Sequence, residues 1–99
     1  MFSCKIHECG EKMTAIADAG LIGRTITGRE MEVSISEQFY GNSNMGEKEA
    51  LLLIRGSTII NAIGKNSVEL LVRKGFVNPE AILEIGGIPH AQVICTKSR

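Results

Sequence analysis

Apolar and polar side chains alternate from the start of the chain, with Phe2, Cys4 and Ile6 set against Ser3, Lys5 and His7. That is the period of a strand with one wet face, and it turns Cys4 toward a core and His7 toward water. Glu8, Cys9, Gly10 and Glu11 read as a turn, and Met13 to Asp18 as the returning strand of a hairpin. Met13, Ala15 and Ala17 compete with Ile16 for its inner face, so its register stays open. A third strand is predicted where Met31, Val33 and Ile35 alternate with Glu30, Glu32 and Ser34.

The period lengthens after Met45. Asn44 with Glu47 three residues later predicts a helix start and Gly56 its stop, and the apolar run Ala50 to Ile54 suits a well-buried helix. Ser57 then reads as the cap of a second helix with Ile59, Ile60 and Ile63 inside, ending at Gly64. Asn66 and Glu69 predict a capping box for a third helix, in which Glu69 reaches Arg73 and which Gly75 closes. Asn78, Pro79 and Glu80 read as a turn or a single helical turn. Ala81 to Ile85, apolar on both faces, reads as a central strand, and Gly86 to Pro89 as the next turn. A last strand, Ala91 to Thr96, places Ala91, Val93 and Cys95 on one face and His90, Gln92, Ile94 and Thr96 on the other. The expected architecture is one α+β domain over residues 1–99, with a mostly antiparallel sheet of about five strands and about three helices inserted between strands three and four.

Composition supports a folded domain, since 99 residues with 43% hydrophobic and 22% charged side chains are globular values. The longest apolar run, Ala50 to Ile54, is far too short for a bilayer, and Lys5, His7 and Glu8 interrupt any leader-like stretch, so a cytoplasmic protein is expected. Three cysteines without framework spacing agree with a reducing compartment. The net charge of zero hides an asymmetry: residues 1–50 carry five basic and eight acidic side chains, residues 51–99 six and three. The second half is therefore mildly basic, with Arg55, Lys65, Arg73, Lys74, Lys97 and Arg99, and the first four of these are the candidate nucleic-acid contacts, although such binders usually carry a stronger excess.

Several motifs bear on chemistry. Gly20, Leu21, Ile22 and Gly23 have the spacing of a backbone-clamping RNA loop, but follow a strand and carry two large apolar residues, as a buried turn does. Phe39 and Tyr40 are placed to stack on bases or to plug the end of a small core, with Gly41 allowing the turn that follows. The Gly64 break between helical patterns suggests helix-turn-helix, yet Val68, Leu70, Leu71 and Val72 leave no DNA-reading face. Cys4, His7 and Cys9 lack metal geometry because alternation separates Cys4 from His7, and Cys95 falls on the face opposite His90, against a nucleophile dyad. No Walker loop, dinucleotide fingerprint or nucleophile elbow occurs, so no cofactor is expected. His90 and Gln92 are neighbours at a strand entry beside a glycine-rich turn. With Tyr40 and Asn61 they form the candidate binding site, set against a purely structural role in which they satisfy backbone groups near Pro89.

The series Asp18, Leu21, Gly23 and Arg24, then Phe39, Tyr40 and Gly41, then Asn61 and Gly64, and finally Gly87, Pro89, His90, Ala91 and Gln92 resembles the archaeal domain-of-unknown-function family four-twenty-four. The resemblance spans nearly the whole chain, and the Pro89 to Gln92 run is its most specific part. It implies an archaeal, cytoplasmic origin, an α+β fold and an association with RNA or the translation machinery, and it supplies no mechanism. The expected function is a binding module without catalysis that touches RNA or a ribonucleoprotein through its basic half. The alternatives are a small-molecule or enzymatic site around His90 and Gln92, and a protein-interaction domain.

Overall fold

The computed structural model describes residues 1–94. Its centre is a five-stranded sheet in the order β1-β2-β5-β7-β6, formed by β1 (Phe2–Cys9), β2 (Glu11–Asp18), β5 (Ile59–Ile63), β6 (Leu83–Ile85) and β7 (Ile88–Ile94). The first hairpin is as the alternation predicts: β1 and β2 pair antiparallel around Gly10, whose φ of 85° suits the tight turn. β5 then lies parallel to β2, and antiparallel β7 and β6 complete the sheet. The sheet is therefore mixed.

Two layers cover it. On the first face α2 (Glu47–Arg55) and α3 (Lys65–Arg73) bury Ala50, Leu51, Ile54, Val68, Leu70 and Leu71 against Phe2, Cys4, Ile16, Ile60, Ala62 and Ala91. On the second, the separate ribbon of β3 (Thr25–Thr27) and β4 (Glu32–Ser34) and the one-turn helix α1 (Glu37–Tyr40) enclose Ala15, Ala17, Ile26, Ile35, Tyr40 and Ile63. Alternation along each strand feeds both cores.

Five expectations need correction. Ile59–Ile63 is the central strand β5 and not a helix. Its β-branched residues between Gly56 and Gly64 pack on both faces, and periodicity alone cannot tell such a run from a buried helical segment. Ser57 instead closes α2: its hydroxyl donates to the Leu53 carbonyl at 2.9 Å and meets Thr14 Oγ1. The helices consequently flank β5 and are not inserted together between strands three and four. Strand β6 is a three-residue edge with Leu83 64% exposed, and not central, because Pro79–Ala81 forms a short turn of 3-10 helix that shortens the run. The Met31 to Ile35 pattern forms β4 in the covering ribbon and not a strand of the main sheet.

The cap of α3 also differs from the Asn66–Glu69 box. Asp18, at the end of β2, accepts from the backbone N–H of Asn66 at 3.0 Å and of Ser67 at 2.8 Å, and from the Ser67 hydroxyl at 2.8 Å. A carboxylate on the first-turn amides also suits the helix dipole. Gly64, with φ 116°, lets the two elements meet, since a Cβ there would lie 2.5 Å from Asp18 Cγ. Glu69 reaches Arg73 at 3.8 Å as expected, and Gly75 follows the helix with φ 80°. Cys95, Thr96, Lys97 and Arg99 lie outside the described residues.

Candidate functional site

β7 sets the site by its register. Antiparallel pairing puts Gln92 opposite Asn61 and His90 opposite Ile63, while β2 puts Ala15 beside Asn61 and Ala17 beside Ile63. Asn61, His90 and Gln92 thus share the second face. Tyr40 arrives from α1, whose N-cap Ser36 accepts from the Phe39 N–H at 3.2 Å. Gly41 then passes so close to β1 that a Cβ would sit 2.8 Å from the Cys4 carbonyl oxygen. The Tyr40 ring packs in the core that Ala15 and Ala17 help to form, and its hydroxyl donates to Asn61 Oδ1 at 3.0 Å. Burial pushes the phenol up to about 12, so it keeps its proton at any physiological pH.

The four predicted binding residues are therefore gathered on one side of the sheet, with Tyr40 buried in the core and Asn61, His90 and Gln92 at or near the surface. The His90 side chain is half-buried, its ring has no hydrogen-bond partner among the described residues, and it is held below the ordinary imidazole range by burial. It is neutral near pH 7. Gln92 is exposed, and the next row of the same face holds half-buried Met13 and Ile59 with Ile94 68% exposed. Among the described residues, α1 and the ribbon cover only part of this face and leave the Gln92–Ile94 side open.

The strand pattern turned His7 to water, and the structure differs. His7 is half-buried, its Nε2 bonds the Phe39 carbonyl at 2.7 Å, and its ring stacks on Phe39 with centroids 4.9 Å apart. Phe39 in turn meets Tyr40 edge-on. The available signal was parity, since His7 shares its face with Lys5 and Ser3, but nothing local announced that α1 would fold back over β1. Cys4 is on the first face, where burial raises its thiol to about 12 and leaves it protonated.

The four cationic candidates do not converge with this surface. They belong to the helical layer on the opposite side of the sheet: Arg55 ends α2, Lys65 begins α3, and Arg73 and Lys74 lie at the other end of α3, roughly 13 Å away along a helix of that length. Arg73 is also engaged, bidentate with Glu47 at 3.0 and 3.1 Å. The Gly20 to Gly23 loop joins β2 to β3, and Leu21 and Ile22 pack into the second core. An open groove of about 960 Å³ lies between the turns Gly28–Met31 and Gly86–Gly87, and neither His90 nor Gln92 belongs to its lining. No group of three or more metal-ligating side chains occurs among the described residues, nor is any helix there long and apolar enough to cross a membrane.

A mixed sheet between a helical layer and a ribbon, with polar side chains on its half-open face, defines a small α+β protein. The chain belongs to the family described as "Protein of unknown function (DUF424)", whose profile matches residues 6–96. It is similar to a solved structure described as an uncharacterized conserved protein from Methanopyrus kandleri, an archaeon, with 26% identity and a TM-score of 0.81 over 99% of this chain and 96% of that one. No curated protein matches it.

Proposed function

We propose that the protein is a binding module without catalysis, that its contact surface is the open part of the second sheet face, and that its partner is single-stranded RNA, free or in a ribonucleoprotein. The observation that carries this reading is the convergence of Asn61, Gln92 and His90 on one surface beside the His7–Phe39 ring pair and the apolar Met13, Ile59 and Ile94 row. Carboxamides and a neutral imidazole suit the edges of unpaired bases, and ring and apolar surfaces suit their planes. Lys5, exposed in the row of Ala15 and Asn61, is the cation placed for a phosphate on this side.

The zero net charge makes the electrostatic share small. Filter binding of single-stranded RNA to the full chain should show affinity that falls as salt rises, with a shallow slope. Gln92→Ala with Ile94→Ala should weaken it about tenfold or more, while Arg73→Ala should leave it unchanged. Loss of binding in Arg73→Ala and Lys74→Ala alone would move the contact to the helical layer. Undetectable binding at low salt would assign the face to a protein partner. The enzymatic alternative around His90 has less support, because the groove between the Gly28–Met31 and Gly86–Gly87 turns does not reach that side chain.

A further inference from the structure

We propose that Tyr40 is a positioning residue that fixes the orientation of the Asn61 carboxamide, so that Asn61 offers amide N–H donors to a bound base and selects a carbonyl there over an amino group. The proposal rests on the RNA reading above. Tyr40 is 4% exposed, and among the described residues its hydroxyl has one side-chain partner, Asn61 Oδ1. A buried hydroxyl proton without an acceptor is unfavourable, so the phenol must donate and the amide oxygen must face it. The opposite amide flip would set N–H groups against the phenol oxygen and strand the hydroxyl proton.

With the oxygen engaged, Asn61 Nδ2 takes the other side. It has no acceptor among the described residues, yet no buried side-chain nitrogen or oxygen there lacks a partner, so Nδ2 reaches solvent. Next to it lies an apolar row, with Ile59 two residues back on the same strand and Ile94 paired to Ile59 across β7. A base plane can rest on that row while its edge meets Asn61. Gln92, exposed and unconstrained, turns to suit either kind of group and does not discriminate. Uracil and cytosine separate the two cases, because they share a shape and differ at position 4, carbonyl in the first and amino in the second, and at the adjacent N3, which donates in the first and accepts in the second.

The test is fluorescence anisotropy of the full chain with labelled oligouridylate and oligocytidylate. The wild type should bind oligouridylate about tenfold tighter. Asn61→Asp, which presents only acceptors, should reverse that order, its added charge weakening both probes alike. Tyr40→Phe should free the amide to turn and bring the ratio toward one while binding persists. A merely structural Tyr40 would lower both affinities together and leave the ratio as it was, and that result, or equal wild-type affinities, would overturn the proposal. Binding of neither probe would instead remove the RNA reading, and the orientation would still be read by NMR of the free protein. There the Asn61 side-chain amide protons should exchange with water without protection, and protected protons would refute the assignment.

Discussion

The two faces of the central sheet are built for different ends. Against the first lie two nine-residue helices, and Ile16, Ile60, Ala62, Ile54, Leu70 and Leu71 there have no exposed surface. Its few polar groups are used internally: Thr14 donates to the Leu53 carbonyl at 3.2 Å, the same acceptor that Ser57 takes. The second face has a smaller cover, a four-residue helix and a ribbon of three-residue strands, and that cover stops short of Gln92 and Ile94. Stability resides mainly in the first face, and unspent hydrogen-bonding capacity in the second.

Substitutions sharpen that contrast. Leu70→Ala, which empties a fully buried site, should cost about 4 kcal/mol in denaturant unfolding, whereas Ile94→Ala on the open face should stay within about 0.5 kcal/mol. If the two costs were comparable, the division of labour between faces would be wrong. Gly64→Ala should cost about 3 kcal/mol, because it places a Cβ against the Asp18 carboxylate in a backbone conformation that disfavours it. Asp18→Ala, by removing only the cap, should cost about half as much.

Tyr40→Phe removes one neutral hydrogen bond and should cost about 1 kcal/mol by the same measurement. The smallest effect concerns pH. The folded state holds the His90 imidazole below its ordinary value, so the unfolded chain binds the proton more readily and stability falls as pH drops below about 6.5. His90→Gln should flatten that limb and leave the curve above neutrality in place. An unaltered acid limb would mean that His90 titrates equally in both states. Covered and open faces should differ chemically as well: Cys4 in the folded protein should resist a maleimide at neutral pH and react once the chain is unfolded, as mapped by mass spectrometry.

Legibility followed locality. The hairpin around Gly10, the helix that Gly56 ends, the Glu69–Arg73 pair and the glycine turn before β7 were readable because each depends on residues a few places apart, although that turn is only Gly86–Gly87 and β7 already begins at Ile88, three residues before the expected Ala91. β5 was not, since Ile59, Ile60 and Ile63 fit helical spacing as well as a doubly buried strand, and only the neighbours β2 and β7 decide between them. The gathering of Asn61, His90 and Gln92 depended on the register of that unread strand, yet parity within β7 already put two of the three together. Asp18 escaped as a cap because its partners lie 48 and 49 residues away.

The parallel alignment of β2 with β5 has a consequence for how the chain comes into being. Residues 19–58 separate the two strands, and closing a loop of that length costs roughly 3 kcal/mol of chain entropy before any pairing repays it. β1 and β2 need no such wait, because Cys9 and Glu11 flank a single glycine. During synthesis the β2 edge of the first hairpin therefore stays bare until β5 has been made, an interval of roughly 2 to 8 seconds at ordinary elongation rates. An unpaired edge is a template for the wrong strand. The nascent chain is at its most vulnerable in those seconds, and a chaperone or a slower codon would matter there more than anywhere else along the message.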